Sequence, residues 1–124
     1  MASNVEGNNK GFKAGADLSA KQFFIVKLTA AGIVGLASAA TDAIIGVLQN
    51  KPTSGDNADV KLRNSAGTGK VIAGGNIAIN DRLTANADGK AIATTTAGNQ
   101  VFGRAIETAV AGDIFEYMPT TETV

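Results

Sequence analysis

The chain has 124 residues, 44% of them hydrophobic, a length that suits one domain with a single core burying roughly two-thirds of its unfolded surface without a metal or disulfide. It contains no His, Cys or Trp, which removes His- or Cys-based zinc sites, thiol nucleophiles and imidazole triads. Eleven Lys plus Arg balance eleven Asp plus Glu, and the basic residues stand singly from Lys10 to Arg104, so there is neither the basic stripe of a nucleic-acid binder nor a polybasic membrane patch.

Residues 1–11, MASNVEGNNKG, carry one large aliphatic side chain, Val5. They lack a signal-peptide core and read as a flexible arm, either a disordered leader with no task or an arm that orders against a partner. The clearest strand is 23–29; the turn Ala30-Ala31-Gly32 returns the chain through 33–38 as a hairpin partner. In a strand, the adjacent Phe23 and Phe24 point to opposite faces, and one of them needs a second cover, from the core of a sandwich or from another subunit. The uncharged stretch 28–41 falls short of the 18 or so apolar residues that cross a bilayer. A rival helix over 33–48 matches the spacing of Ile33, Leu36, Ala37, Ala40, Ile44, Val47 and Leu48, but Gly35 and Gly46 each cost a helix about 1 kcal/mol.

Further strands are predicted at 44–49, 60–63, 70–73, 82–85, 90–95, 101–107 and 114–118, with turns at 54–57, 87–89 and 111–113. A weakly apolar tail, 120–124, follows Pro119. The Gly-rich stretch 65–71 fails as a phosphate loop, because Asn64 replaces its first glycine and Val71 its hydroxyl. Asp56-Asn57-Ala58-Asp59 and Asn86-Ala87-Asp88-Gly89 lack the glycine and glutamate of an EF-hand loop and read as turns. No metal site, cofactor site or catalytic set emerges. The predicted fold is all-β: a small barrel or sandwich of short antiparallel strands over 12–119, flanked by the arm and the tail.

An offset of 57 residues aligns Gly32 with Gly89, Gly46 with Gly103, Gly55-Asp56 with Gly112-Asp113, Asp59 with Glu116 and Val60 with Tyr117. With small gaps, Ala14-Gly15 aligns with Ala73-Gly74 and Leu28-Thr29 with Leu83-Thr84. Two readings stay open: one β unit used twice, over 14–62 and 73–119, or two hairpin-rich stretches sharing turn residues by convergence.

Over roughly 12–119 the chain resembles the capsid decoration, or cement, proteins of tailed bacteriophages. The similarity rests on Ala14-Gly15-Ala16-Asp17-Leu18, Gly-Ile-Val-Gly-Leu-Ala at 32–37, Ile45-Gly46-Val47, Asp88-Gly89-Lys90, and above all Val101-Phe102-Gly103-Arg104-Ala105-Ile106-Glu107 followed by Ala111-Gly112-Asp113. The resemblance implies a β-rich, non-enzymatic structural protein on the outer surface of the virion capsid, a homotrimer that clamps major capsid protein subunits at threefold or quasi-threefold positions. It carries no catalytic motif. The expected capsid contacts are Ser3, Asn4, Val5, Asn8, Asn9 and Phe12. The alternative is a surface-displayed β-domain that binds host carbohydrate.

Overall fold

The computed structural model describes residues 9–124. The sequence alternates short β-branched and apolar runs with turn residues, and the runs form β1 (Asn9–Ala14), β2 (Ile25–Ala30), β3 (Ile33–Leu36), β4 (Ile44–Leu48), β5 (Asn57–Leu62), β6 (Gly69–Ile72), β7 (Arg82–Ala85), β8 (Ala91–Ala93), β9 (Gln100–Ala105) and β10 (Ile114–Thr123). There is no helix among the described residues. Six of the turns that separate the strands place glycine at positive φ, among them Gly32 (72°), Gly55 (84°) and Gly112 (91°), where a Cβ would be strained.

The strands make two five-stranded units. The first closes into a barrel in the order β1-β3-β2-β4-β5, and the second is a sheet in the order β6-β10-β9-β7-β8. Taken from the other edge, β8-β7-β9-β10-β6 has the connectivity of β3-β2-β4-β5-β1, strand for strand. Local geometry repeats with the same spacing. Phe23 and Asn80, 57 residues apart, are the two non-glycine residues with positive φ among the described residues, at 72° and 70°. Their amides donate to Leu48 O at 2.7 Å and Ala105 O at 2.8 Å, again 57 residues apart. The gapped pair Ala14-Gly15 and Ala73-Gly74 also corresponds: Gly15 N–H donates to Val34 O at 2.9 Å and Gly74 N–H to Ala91 O at 2.7 Å. Leu28-Thr29 is not the counterpart of Leu83-Thr84. Val26 pairs with Gly46 and Leu83 with Gly103, so Leu83 takes the place of Val26.

The two units differ at one seam. In the first, β1 and β3 pair in parallel through Lys13↔Ile33 and Ala14↔Val34, and Lys13 N–H bonds Gly32 O at 2.9 Å. In the second, the equivalent edges share one parallel bridge, Ala73↔Ala91. The 23–25 segment of the first unit fills the gap: Ile72 N–H donates to Phe23 O at 2.9 Å and Ile25 N–H to Gly89 O at 2.8 Å. The backbone groups that close the first barrel directly are thus satisfied, in the second, by a wedge from its neighbour.

Two cores follow. Val26, Val34, Leu48, Ala58 and Val60 fill the first barrel together with Ala14 and Leu18. Val71, Leu83, Phe102, Phe115 and Tyr117 fill the second and join Ile25, Ile44 and Val47 from the first, so the units share apolar packing. Phe102 meets Tyr117 edge-on, with ring centroids 5.2 Å apart. Burial pushes the Tyr117 phenol well above its usual range.

Several expectations are corrected. Asn9, Lys10 and Gly11, expected in the arm, are strand residues paired with Lys61, Val60 and Asp59; the rest of the arm, 1–8, lies outside the described residues. Residues 120–123, expected as a tail, continue β10, with Glu122 opposite Val101 and Thr123 opposite Gln100. The rival helix over 33–48 does not form, because the Asp42 carboxylate accepts the Ser38 and Ala39 N–H groups at 2.8 and 3.1 Å and so fixes a turn. Phe23 and Phe24 precede β2 and belong to the wedge instead of alternating across a strand.

Glu122 anchors the end of β10. Arg104 donates to it twice, at 3.1 and 3.0 Å, Thr120 donates at 2.9 Å, and Arg82 lies 3.6 Å away. These groups, Arg104 first, hold the Glu122 carboxyl below the usual carboxylate range. The folded value is the lower one, so the stabilisation is complete above the ordinary Glu value of about 4.3 and is lost as pH falls through the lowered folded value. Glu122→Gln is expected to cost about 1 kcal/mol at neutral pH, and urea unfolding at decreasing pH should show wild type and variant converging in acid.

Candidate contact surface

β10 alternates: Phe115 and Tyr117 point into the second unit, while Ile114, Glu116 and Met118 face outward. Their cross-strand neighbours share that outer face. Ile114 lies opposite Ile72 on β6, and Met118 lies opposite Arg104 on β9. Ile106 donates its N–H to Glu116 O at 3.4 Å, which sets it beside Glu116, between Ile114 and Met118. Ile106, Ile114 and Met118 are 41, 44 and 45% exposed, so apolar side chains stay wet on an otherwise satisfied sheet. Two more, Ile79 and Val110, are exposed near the bridge between Ile77 and Ala109.

The first unit supplies an internal control. At the equivalent positions it carries Gln22 for Ile79, Gln49 for Ile106, Thr53 for Val110, Asn57 for Ile114, Lys61 for Met118 and Lys13 for Ile72. Every one is polar, on the same strand framework. The apolar residues of the second unit are therefore not a requirement of the fold. Lys61 is itself covered: it is buried, its Nζ donates to Ala66 O at 2.6 Å, and desolvation lowers its pKa. The chain between β5 and β6 thus shields this part of the first unit, and the outer face of the second has no such shield among the described residues. Single exposed apolar residues are ordinary, but a group on one face marks an interaction surface.

Of the expected contact residues, Ser3, Asn4, Val5 and Asn8 lie outside the described residues. Asn9 and Phe12 lie on β1 of the first unit, not on the outer face of the second. Asn9 Nδ2 donates to Asp59 Oδ2 at 3.0 Å. Phe12 packs half-buried against the first core, with Lys10 Nζ 5.6 Å from its ring, so it helps to hold the barrel. Sequence reading did not single out the outer face. Ile-Phe-Glu-Tyr-Met at 114–118 does not alternate apolar with polar, and only comparison with Asn-Ala-Asp-Val-Lys at 57–61 picks out the outward pair. No group of three or more acidic residues suited to holding a metal ion occurs among the described residues.

No protein-family model matches the chain, and no curated protein does. Among solved structures it is similar to the N base of head fiber gp8.5 in bacteriophage phi29, a crystal structure, with a TM-score of 0.67 and 22% identity, covering 94% of this chain and 96% of that one. The two share a fold over nearly their whole lengths.

Proposed function

We propose that the chain is a non-enzymatic structural protein of a bacteriophage head, a decoration protein that sits on the outer surface of the virion capsid and holds neighbouring major capsid protein subunits together. The observation that carries this reading is the apolar outer face of the second unit, polar at every equivalent position of the first. The fold it shares with a phage head fiber base supports the reading. A protein that binds only the assembled shell stabilises that state by mass action, and many copies add their effects. Three copies assemble around a threefold or quasi-threefold position, and residues 1–8 provide a second contact with the shell.

Host carbohydrate recognition has less support. All six aromatic side chains lie within the described residues, and none is fully exposed, so no stacking platform faces solvent.

The test is sedimentation of purified chain with expanded, undecorated heads built from the major capsid protein. The full chain is expected to pellet with heads to saturation. Deleting residues 1–8 is expected to lower occupancy several-fold while the urea midpoint of the free protein stays put; the deletion stops there because Asn9, Lys10 and Gly11 pair within β1. No pelleting of the full chain would defeat the reading, and unchanged occupancy after the deletion would remove the contact assigned to residues 1–8.

A further inference from the structure

Where the wedge enters the second unit, a cleft of about 420 Å³ opens between the units. Lys21, Phe24, Leu36 and Ser38 line it from the first unit, and Asp88 and Lys90 from the second. Both ammonium groups lean on one ring: Lys21 Nζ is 4.9 Å and Lys90 Nζ 5.8 Å from the Phe24 centroid. Neither lysine has an ion-pair partner within 4.0 Å among the described residues, although Asp88 stands on the rim. The ring attracts each cation without neutralising it, so both charges remain without a carboxylate partner within ion-pair distance among the described residues.

The second unit again provides the comparison. Its equivalents of Lys21 and Phe24 are Ala78 and Asp81, and there the Asp81 carboxylate accepts the Ala78 N–H at 2.8 Å and closes the turn. The same backbone turn thus forms without a lysine or an aromatic ring. The turn itself therefore does not demand Lys21 or the Phe24 ring.

We infer that this cleft binds an acidic side chain together with an apolar neighbour, presented by an extended peptide segment of a partner protein. The two lysines take the carboxylate by charge-assisted hydrogen bonds, and Leu36 with the rim of Phe24 takes the apolar side chain. An acidic sugar fits less well: Phe24 is only 8% exposed, too little for stacking, and the Ser38 hydroxyl and the Asp88 carboxylate are the main polar side-chain groups left to meet a ring of hydroxyls. The inference is independent of the capsid reading, since any protein with such a segment is a ligand.

The experiment is an amide-shift titration of the isotopically labelled full chain with acetyl-Leu-Glu-amide, acetyl-Leu-Gln-amide and N-acetylneuraminic acid. The Glu peptide is expected to shift the amides of 36–38 and 87–90 saturably, with an affinity that weakens as salt rises. The Gln peptide is expected to bind at least about tenfold more weakly. Lys21→Gln and Lys90→Gln should each weaken the Glu peptide several-fold, and the double variant at least about tenfold, with the remaining amides unmoved as a control of folding. The inference is overturned if the Glu peptide gives no saturable shift at these amides, if the Gln peptide matches it, if the variants bind as wild type does, or if the acidic sugar binds more tightly.

Discussion

Gly46→Ala is expected to destabilise the protein by about 3 kcal/mol or more, a large part of the 5–15 kcal/mol that holds a typical domain. A Cβ at Gly46 would fall inside the Lys61 carbonyl of β5 and 3.0 Å from the Val60 side chain. Gly46 faces Leu62 in the register and its neighbour Val47 faces Lys61, so the obstacle is backbone, which has no rotamer to change. The strands would have to part beside Val47, Leu48 and Val60, all fully buried. Gly103, the equivalent residue, makes a softer clash: its Cβ would stand 2.5 Å from the Tyr117 ring and 2.8 Å from Met118 O. That ring is fully buried and rests edge-on against Phe102, so Gly103→Ala is expected to cost about 1–3 kcal/mol. Gly75→Ala serves as the control, since its Cβ would find nothing nearer than Ile92 at 3.9 Å, and its urea midpoint should match wild type. Equal midpoints for Gly46→Ala and Gly75→Ala would contradict the packing described.

The second large effect concerns attachment. Ile114→Glu with Met118→Glu is expected to weaken binding to heads at least about a hundredfold, because each apolar side chain buried at a contact contributes about 1.5–3 kcal/mol and each new carboxylate would have to be desolvated. Both residues face outward and are nearly half exposed, so the free protein's stability should move by no more than about 0.5 kcal/mol. Gln49→Glu with Asn57→Glu places two like charges at the first unit's equivalents of Ile106 and Ile114, on partly or fully exposed side chains, and should leave binding within a few-fold of wild type. A charge effect spread over the whole molecule would lower both pairs alike; a contact through the second unit lowers only the first.

Much of the architecture is legible in the sequence. Strand runs such as 44–49 and 82–85 and the glycine turns at Gly32, Gly55, Gly89 and Gly112 appear where short β-branched and apolar runs meet turn residues, and each turn glycine takes positive φ. The all-β fold follows from these local signals. What escaped depends on partners distant in the chain. β1 is nearly unreadable, because Asn9-Lys10-Gly11 has no β propensity of its own and is strand only through its ladder with β5. The end of β10 is held by Arg104 on the adjacent β9 and Arg82 on β7 beyond it, which no window of sequence contains. Phe23 reads as strand from its aromatic side chain, yet its φ of 72° turns the chain into the seam of the other unit. The outer face was hidden for another reason: only the 57-residue offset pairs Ile114 with Asn57 and Met118 with Lys61, and it becomes informative once the burial of Phe115 and Tyr117 shows which side is outside.

Electron microscopy of heads saturated with the full chain tests the central claim most directly. The account predicts added density on the outer surface at threefold or quasi-threefold positions, with β6, β10 and β9 of the second unit turned toward the shell and Ile106, Ile114 and Met118 in the contact. Heads left bare at saturating protein, or density seated through another face with those three side chains in solvent, would contradict it.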